Sequence, residues 1–409
     1  MLIGIAIDRG LIHSVQDKVV SLLPAYAAGV SDPRERQIAL KNLLTMSSGF
    51  RCSLEGGEKE LRAMQDTRDW AAFTLSLPMQ SSPGAEFAYC SPNCHLMSCI
   101  LSAHTGRTEF GFAKQALFAP LHIADAQWPA DPQGRTNGWG GLHLKPRDFA
   151  KIGYLYLQGG RWSGKQIVST TWARASTTPQ IQVRKGVAYG YNWWINSDHN
   201  PPIFEAEGRG GQRVSAIRDQ DVVIAFLGGG DNTDALAPFL FRALRSDTAL
   251  PPSLSASKLL RALLQASREP PRALQANPLP SRAHAISGKR FEIEANPIRL
   301  QALSLTFGES SEAEAVLQLA DQSYKVPIGL DHRQRFSSDG PFGLPIAAMG
   351  EWQSDGQFLL DLDTVSNINH YLIRMAFERS GVLLTISERT GELRDFVLAG
   401  HLRKSGAVP

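Results

Sequence analysis

The side chains with the clearest chemical potential fall in a few short stretches. Tyr89-Cys90-Ser91 sets a phenol and a hydroxyl two residues apart, directly ahead of an apolar run. Arg209-Gly210-Gly211-Gln212 sets a guanidinium beside two glycines within "EGRGGQRV". A phenol, with an ordinary pKa of about 10, passes protons usefully only where neighbouring cations lower the cost of the phenolate. A guanidinium grips a carboxylate with two N–H groups and exchanges no proton near neutrality. Cys90, Cys94 and Cys99 with His95 are metal ligands in kind, but their spacing matches no zinc pattern. They read as small buried thiols on a packed helix. Ser255-Ala256-Ser257-Lys258 spells Ser-x-x-Lys, a spacing that puts hydroxyl and amine on one helix face. It lies in a Pro-rich stretch with no partner motif behind it and reads as coincidence.

Helices and strands must position these groups. "MLIGIAIDRGLI" reads as a helix already under way, since no Ser, Thr, Asp or Asn stands ahead of it to cap a first turn. "DPRERQIALKNLLTMSSGF" predicts a helix from an Asp-Pro start to Gly49, with Ser47 and Ser48 in its closing turn. "CSPNCHLMSCILSAHTGRT" predicts another, starting near Ser91 or Asn93 and closing at Gly106, and "KPRDFAKIGYLYLQGGRW" a third, stopped by Gly159-Gly160. The period then shortens. "YGYNWWI", "RVSAIR" and "DVVIAFLGGG" predict antiparallel strands with a hairpin near Asp219 to Asp221, then a helix in "ALAPFLFRALRS". Trp193 and Trp194, adjacent on a strand, must face opposite sides, one into the core and one near a cleft.

Residues 248–288 turn to Pro, Ser, Ala and Leu and read as a linker with one short helix. Beyond it, "RLQALSLTF", "AVLQLA", "QFLLDLD", "YLIRMAF" and "VLLTIS" are short strands at near-regular spacing, the mark of a compact antiparallel barrel or sandwich over 289–409. That part shows no grouping of acid, base and nucleophile.

In order and spacing, "LIGIAIDRGLI", "LLTMSSGF", "FAYCSPNCHLMSCIL", "GGLHLKPRDFAKIGYLYLQGGRWSGKQIV" and "EGRGGQRV" together resemble the serine β-lactamase-like family. That family groups class C β-lactamases, penicillin-binding proteins and related esterases and amide hydrolases. The resemblance covers residues 1–247 and implies an α+β fold, an antiparallel sheet flanked by helices. It implies that Tyr89 relays protons and that Ser91, where many relatives carry Asn, contacts substrate. It implies that Arg209-Gly210-Gly211 stands where relatives carry Lys-Thr-Gly or His-x-Gly, and that the Gln212 amide is an oxyanion donor. The family's nucleophile lies in Ser-x-x-Lys, just upstream of the segment that "LIGIAIDRGLI" resembles. The expectation is that the given sequence enters the catalytic helix after its catalytic turn, so that the first domain is truncated at its N-terminus.

Charge and composition narrow the partners. A net charge of +3 without long basic runs argues against nucleic-acid binding, and no apolar run approaches the roughly 20 residues that span a bilayer. No basic start or small-residue cleavage site of a signal peptide is visible, so export would need an upstream signal. No metal or organic cofactor is expected. The reading is a serine hydrolase acting through an acyl-enzyme on a small ester, amide or peptide-like substrate, inactive as given because the nucleophile motif is missing. Its alternative is a non-catalytic binding protein that keeps the cleft.

Overall fold

The computed structural model describes residues 1–53, 58–199, 202–230, 232–246, 248, 250–308, 311–320 and 322–403. The expected boundary at residue 247 and the chain end from 404 lie outside them. The chain forms two compact units, Met1–Gly208 with Gln212–Leu227, and Arg209–Gly211 with Gly228–Pro409.

In the first unit, helix Leu2–Asp8 starts at Met1 without a side-chain cap and buries Leu2, Ile3, Gly4, Ile5 and Ala6. Gly4 is required there: a Cβ would sit 2.3 Å from the Trp172 ring. Helix Ser91–Thr105 has Pro92 in its first turn, where a missing N–H costs nothing, and closes on Gly106 at φ 64°. Helix Pro146–Leu157 is stopped by Gly159 and Gly160, both at positive φ. A two-residue turn at Ser163 and Gly164 joins β1 (Arg161–Trp162) to β2 (Lys165–Gln166).

A six-stranded antiparallel sheet follows in chain order: β3 (Ile181–Arg184), β4 (Val187–Tyr189), β5 (Trp194–Asn196), β6 (Ile203–Gly208), β7 (Gln212–Ile217) and β8 (Val222–Phe226). The hairpin near Asp219 to Asp221 is the turn between β7 and β8, with Asp221 at φ 50°. Leu96, Ile100, Phe50, Trp193, Phe204 and Val214 share one core with the first helix.

The single helix expected from Asp32 to Gly49 is instead a short 3-10 turn, Glu35–Gln37, and a helix, Leu40–Leu44, separated by extended backbone at Ile38 and Ala39. Tertiary pairing overrides the helical spacing. The Ile38 carbonyl accepts from Val19 N–H at 2.9 Å, the Leu40 amide donates to Asp17, and the Ala39 amide donates to the Asn42 side chain at 2.8 Å. A continuous helix would forfeit all three bonds.

In the second unit, the helix in the Pro-rich stretch is longer than expected, Leu254–Ala266, and buries none of its residues. Ala283 and Ile286 of helix Ser281–Ile286 are buried, Ile286 in the second core. The β part is one ten-stranded antiparallel sheet in which strand Arg290–Ile293 pairs with the last, Phe396–Leu402. Gly329 meets Met349 in a parallel pairing, so the sheet closes on itself as a barrel. Phe291, Leu303, Ile328, Phe358 and Leu384 fill its interior.

Candidate active site

Tyr89 directly precedes Cys90, the N-cap of helix Ser91–Thr105, and Ser91 is that helix's first residue. The Tyr89 ring lies parallel to Trp194 of β5, centroids 6.1 Å apart and 5° from coplanar. Tyr189 of β4 meets Trp194 edge-on at 4.9 Å, and Phe87 meets both, at 5.2 and 5.5 Å. Trp194 and Tyr189 therefore hold the phenol over one side of the sheet, and Phe87 packs against both of them. Trp193 goes to the other side and packs on Tyr156 and Phe204. The alternation of a strand divides the two tryptophans between core and candidate site.

A second restraint sits inside the motif. Cys90, between Tyr89 and Ser91, is disulfide-bonded to Cys52, 38 residues earlier. That corrects the reading of Cys90 as a free buried thiol. Spacing along one helix carries no sign of a partner on a distant loop. Cys94 and Cys99 are free. Burial pushes each of their thiols up to about 12, so neither offers a thiolate nucleophile near neutrality.

Ser91 is buried, and Asn93, fully buried one residue beyond Pro92, donates through Nδ2 to Ser48 Oγ at 3.1 Å. Ser47 Oγ lies 2.7 Å from Thr45 Oγ1. Both serines of "LLTMSSGF" thus tie the turn at Gly49 to neighbouring groups. His95 Nε2 approaches Asp131 Oδ2 at 3.2 Å, both side chains fully buried, with the imidazole edge-on to Trp70. Burial lowers the His95 pKa, so the ring stays neutral. Among the described residues no cluster of three or more His, Cys, Asp or Glu could hold a metal ion.

The Tyr89 phenol is held well above its ordinary pKa, by burial first and then by Cys94, Glu58 and Glu207. Every one of these influences opposes the phenolate. The phenol is therefore protonated near neutrality and can donate a hydrogen bond, and among the groups that shift it no cation favours the phenolate.

Arg209, Gly210 and Gly211 group with the second unit, where the Arg209 guanidinium pairs with Glu392 at 2.6 Å. The structure so engages Arg209 with a carboxylate. Gly210 and Gly211 take φ of 80° and 87°, the left-handed conformation that glycine alone adopts freely. Gln212 opens β7 opposite Gly208. Tyr89 and Ser91 lie in the first unit, and Arg209, Gly210 and Gly211 group with the second. Ser255 and Lys258 stand exposed on helix Leu254–Ala266, where Ser255 Oγ lies 3.2 Å from Ser253 Oγ. Sequence reasoning missed Phe87 and Tyr189. Their signal was present in the aromatic residues flanking Tyr89 and Trp194.

A family model described as Beta-lactamase matches residues 1–248. The chain is 27% identical over 252 residues to 6-aminohexanoate-dimer hydrolase of Paenarthrobacter ureafaciens, across 57% of this chain and 64% of that enzyme. It thus spans less than two thirds of that relative's length. Among solved structures, a putative 6-aminohexanoate-dimer hydrolase from Bacillus anthracis superposes with a TM-score of 0.51 at 16% identity, over 59% of this chain and 69% of the other. A putative β-lactamase from Bacteroides dorei gives 0.47 at 17% identity, over 60% and 82%. The first of these shows the shared fold. With more than half of its length matched by that model, and with an antiparallel sheet flanked by helices, this chain belongs to the Beta-lactamase family.

Proposed function

We propose that the first unit is the substrate-holding and proton-donating part of an acyl-serine hydrolase for short linear amides or esters. The observation that carries this is the Tyr89 ring, packed against Trp194 and Tyr189, which Phe87 backs, just ahead of helix Ser91–Thr105. A phenol packed against two other rings keeps one orientation, which a group that donates a proton to a leaving amine requires. Arg209 in place of the Lys of Lys-Thr-Gly favours the amide- and ester-hydrolase branch over β-lactam chemistry. The named relative, a hydrolase of 6-aminohexanoate dimer, supports the same substrate class.

Hydrolysis through an acyl-enzyme needs a serine made nucleophilic by a nearby base. Residues 1–247 contain no Ser-x-x-Lys, and among the described residues no lysine ammonium hydrogen-bonds a serine hydroxyl. The raised pKa of Tyr89 gives specific support to a second reading, a binding protein in which the neutral phenol only donates a hydrogen bond to the ligand. One experiment separates them. The 409-residue chain is treated with a fluorophosphonate and mapped by mass, and in parallel titrated with 6-aminohexanoate dimer while indole fluorescence is followed. The expected result is binding that Trp194→Ala weakens, without an adduct at Ser255. An adduct at any serine of the first unit favours an intact hydrolase. Failure of the dimer and of simple aryl esters to bind at millimolar concentration overturns both readings.

A further inference from the structure

The Pro-rich stretch carries a surface that neither core uses. Every residue from 250 to 275 is exposed, and within that span helix Leu254–Ala266 buries no side chain. Leu259, Leu260, Leu263 and Leu264 are 61, 57, 59 and 50% exposed. A single exposed leucine is ordinary, whereas a contiguous row of them marks an interaction surface.

The helix is specified locally. Pro251 and Pro252 precede it, the Ser253 hydroxyl accepts from the Ala256 amide at 3.3 Å as its cap, and Pro270 and Pro271 follow its end. Its residues are Leu, Ala, Ser, Lys, Arg and Gln, with no Gly and no β-branched side chain to oppose the helix. Local signals alone hold a helix of about 12–15 residues only marginally in water, and most helices gain their stability by packing an apolar face. This helix packs its apolar face on nothing within the chain.

That face is narrow and its opposite is cationic. At about 100° per residue, Leu259, Leu260, Leu263 and Leu264 fall in one stripe about 140° wide, and Lys258, Arg261 and Gln265 fall on the other side. Between Asp247 and Glu269 the sequence holds Lys258, Arg261 and Arg268 and no acid, although the whole chain nearly balances 42 cations with 39 acids. The covering surface is therefore apolar in its interior and negative at its rim.

The make-up of the stripe separates a lipid surface from a protein one. Protein interfaces are anchored by aromatic and Arg side chains seated in fitted pockets, with Leu under-represented among the anchors. Here the apolar face is Leu and Ala alone, which suits a fluid hydrocarbon that needs no fitted pocket. The helix is only about 20 Å long, short of the roughly 30 Å of a bilayer core, so it can lie along a membrane but not across it.

We propose that helix Leu254–Ala266 docks on an anionic lipid bilayer, in the plane of the headgroups, with its four-leucine stripe in the acyl boundary and Lys258, Arg261 and Arg268 among the lipid phosphates. The lysine of Ser255-Ala256-Ser257-Lys258 then acts as a headgroup contact. No residue of the Tyr89 cluster takes part, so the assignment is independent of the hydrolase reading.

The test pellets the full chain with sucrose-loaded vesicles of phosphatidylcholine and phosphatidylglycerol in equal parts, or of phosphatidylcholine alone, and follows amide hydrogen exchange on the bound chain. The expected result is saturable binding to the anionic vesicles, weaker by roughly tenfold or more on the neutral ones, with exchange slowed over residues 254–266. Leu259→Ser with Leu263→Ser keeps the net charge and should weaken binding by on the order of tenfold, as should Lys258→Gln with Arg261→Gln. All four positions are exposed, so both variants should leave the melting of the barrel unchanged. Equal pelleting with both kinds of vesicle, or none, overturns the proposal. Binding that survives the double leucine variant reduces to general adhesion of a cationic chain and overturns it too. A dimer in sedimentation velocity that the double leucine variant dissociates, without vesicle binding, assigns the stripe to a second copy instead.

Discussion

Cutting the Cys52–Cys90 bond is expected to loosen the Tyr-x-Ser turn and lower the stability of the first unit alone. The bond closes a stretch of 38 residues of sequence separation. In the chain-entropy account, a loop of that length removes about 13 cal/mol/K from the unfolded ensemble, or about 4 kcal/mol at 25 °C. This is a ceiling, since reduced chains keep some compactness. A unit of this size loses about 2–4 °C of Tm per kcal/mol, so the expected drop is on the order of 10 °C. Cys52→Ser is the cleaner variant, because Cys90 is almost fully buried and Cys52 is half-buried. All four cysteines lie in the first unit, which gives an internal control: unfolding of the barrel must not respond. Thiol counting on denatured, unreduced protein should find two, Cys94 and Cys99, rising to four after reduction. Four thiols before reduction, or a melting curve indifferent to Cys52→Ser, would refute the reasoning.

Three other outcomes follow from packing and charge. Burial raises the Glu109 carboxyl from 4.5 to about 7, so the folded unit keeps a proton that the unfolded chain has lost. The Glu109 contribution to stability should therefore fall as pH rises from about 4.5 to 7, by on the order of 3 kcal/mol, against a rise between about pH 6 and 8 from the buried Met1 amine, so Glu109→Gln should remove the falling part in denaturant melts taken across this range. Ser48→Ala strands the buried Asn93 amide, whose other neighbour is Met46 Sδ at 4.0 Å, and should cost about 1–3 kcal/mol by urea titration. Gly4→Ala gains at most about 1 kcal/mol of helix propensity, yet its methyl meets Trp172 at 2.3 Å; overpacking should win, and a net gain in Tm would contradict the packing described.

How far the sequence could be read varied with the range of the forces involved. Helix Ser91–Thr105 was legible because its signals are local: Pro92 in the first turn, apolar residues at helical spacing, Gly106 at the stop. The β7–β8 hairpin was legible for the same reason, with Asp221 supplying the left-handed residue. Ile38 and Ala39 were misread because their carbonyl and amide are taken by Val19 and Asn42, and spacing along the chain carries no trace of either partner. The Cys52–Cys90 link was invisible on similar grounds. In the barrel, strand Gln322–Gly329 went unseen because Pro327 interrupts it, and Ile346–Trp352 because Gly350 replaces a side chain where the Phe358 ring passes 2.4 Å from a Cβ position. Tyr89 emerged only from the joint pattern of five motifs, since its geometry depends on Trp194 over a hundred residues away.

The electrostatics of Tyr89 bear directly on which chemistry the unit can perform. A proton relay must both take and give, and the balance is set by what surrounds the phenol. Here burial leads, and Cys94, Glu58 and Glu207 each add to the cost of the phenolate. Arg209, the motif residue with a permanent positive charge, is paired with Glu392 in the second unit. An ammonium close to the phenol would act in the opposite sense to all of these, and at about 4 Å its attraction in a partly buried site is several kcal/mol, enough to move the phenol by several pKa units. The rings of Trp194, Tyr189 and Phe87 fix where the oxygen sits, whereas the nearby charges decide whether it gives a proton or accepts one. With burial, Cys94, Glu58 and Glu207 all opposing the phenolate, the Tyr89 oxygen stays protonated near neutrality, so the sign of the charge nearest that oxygen is what would have to change for it to accept a proton.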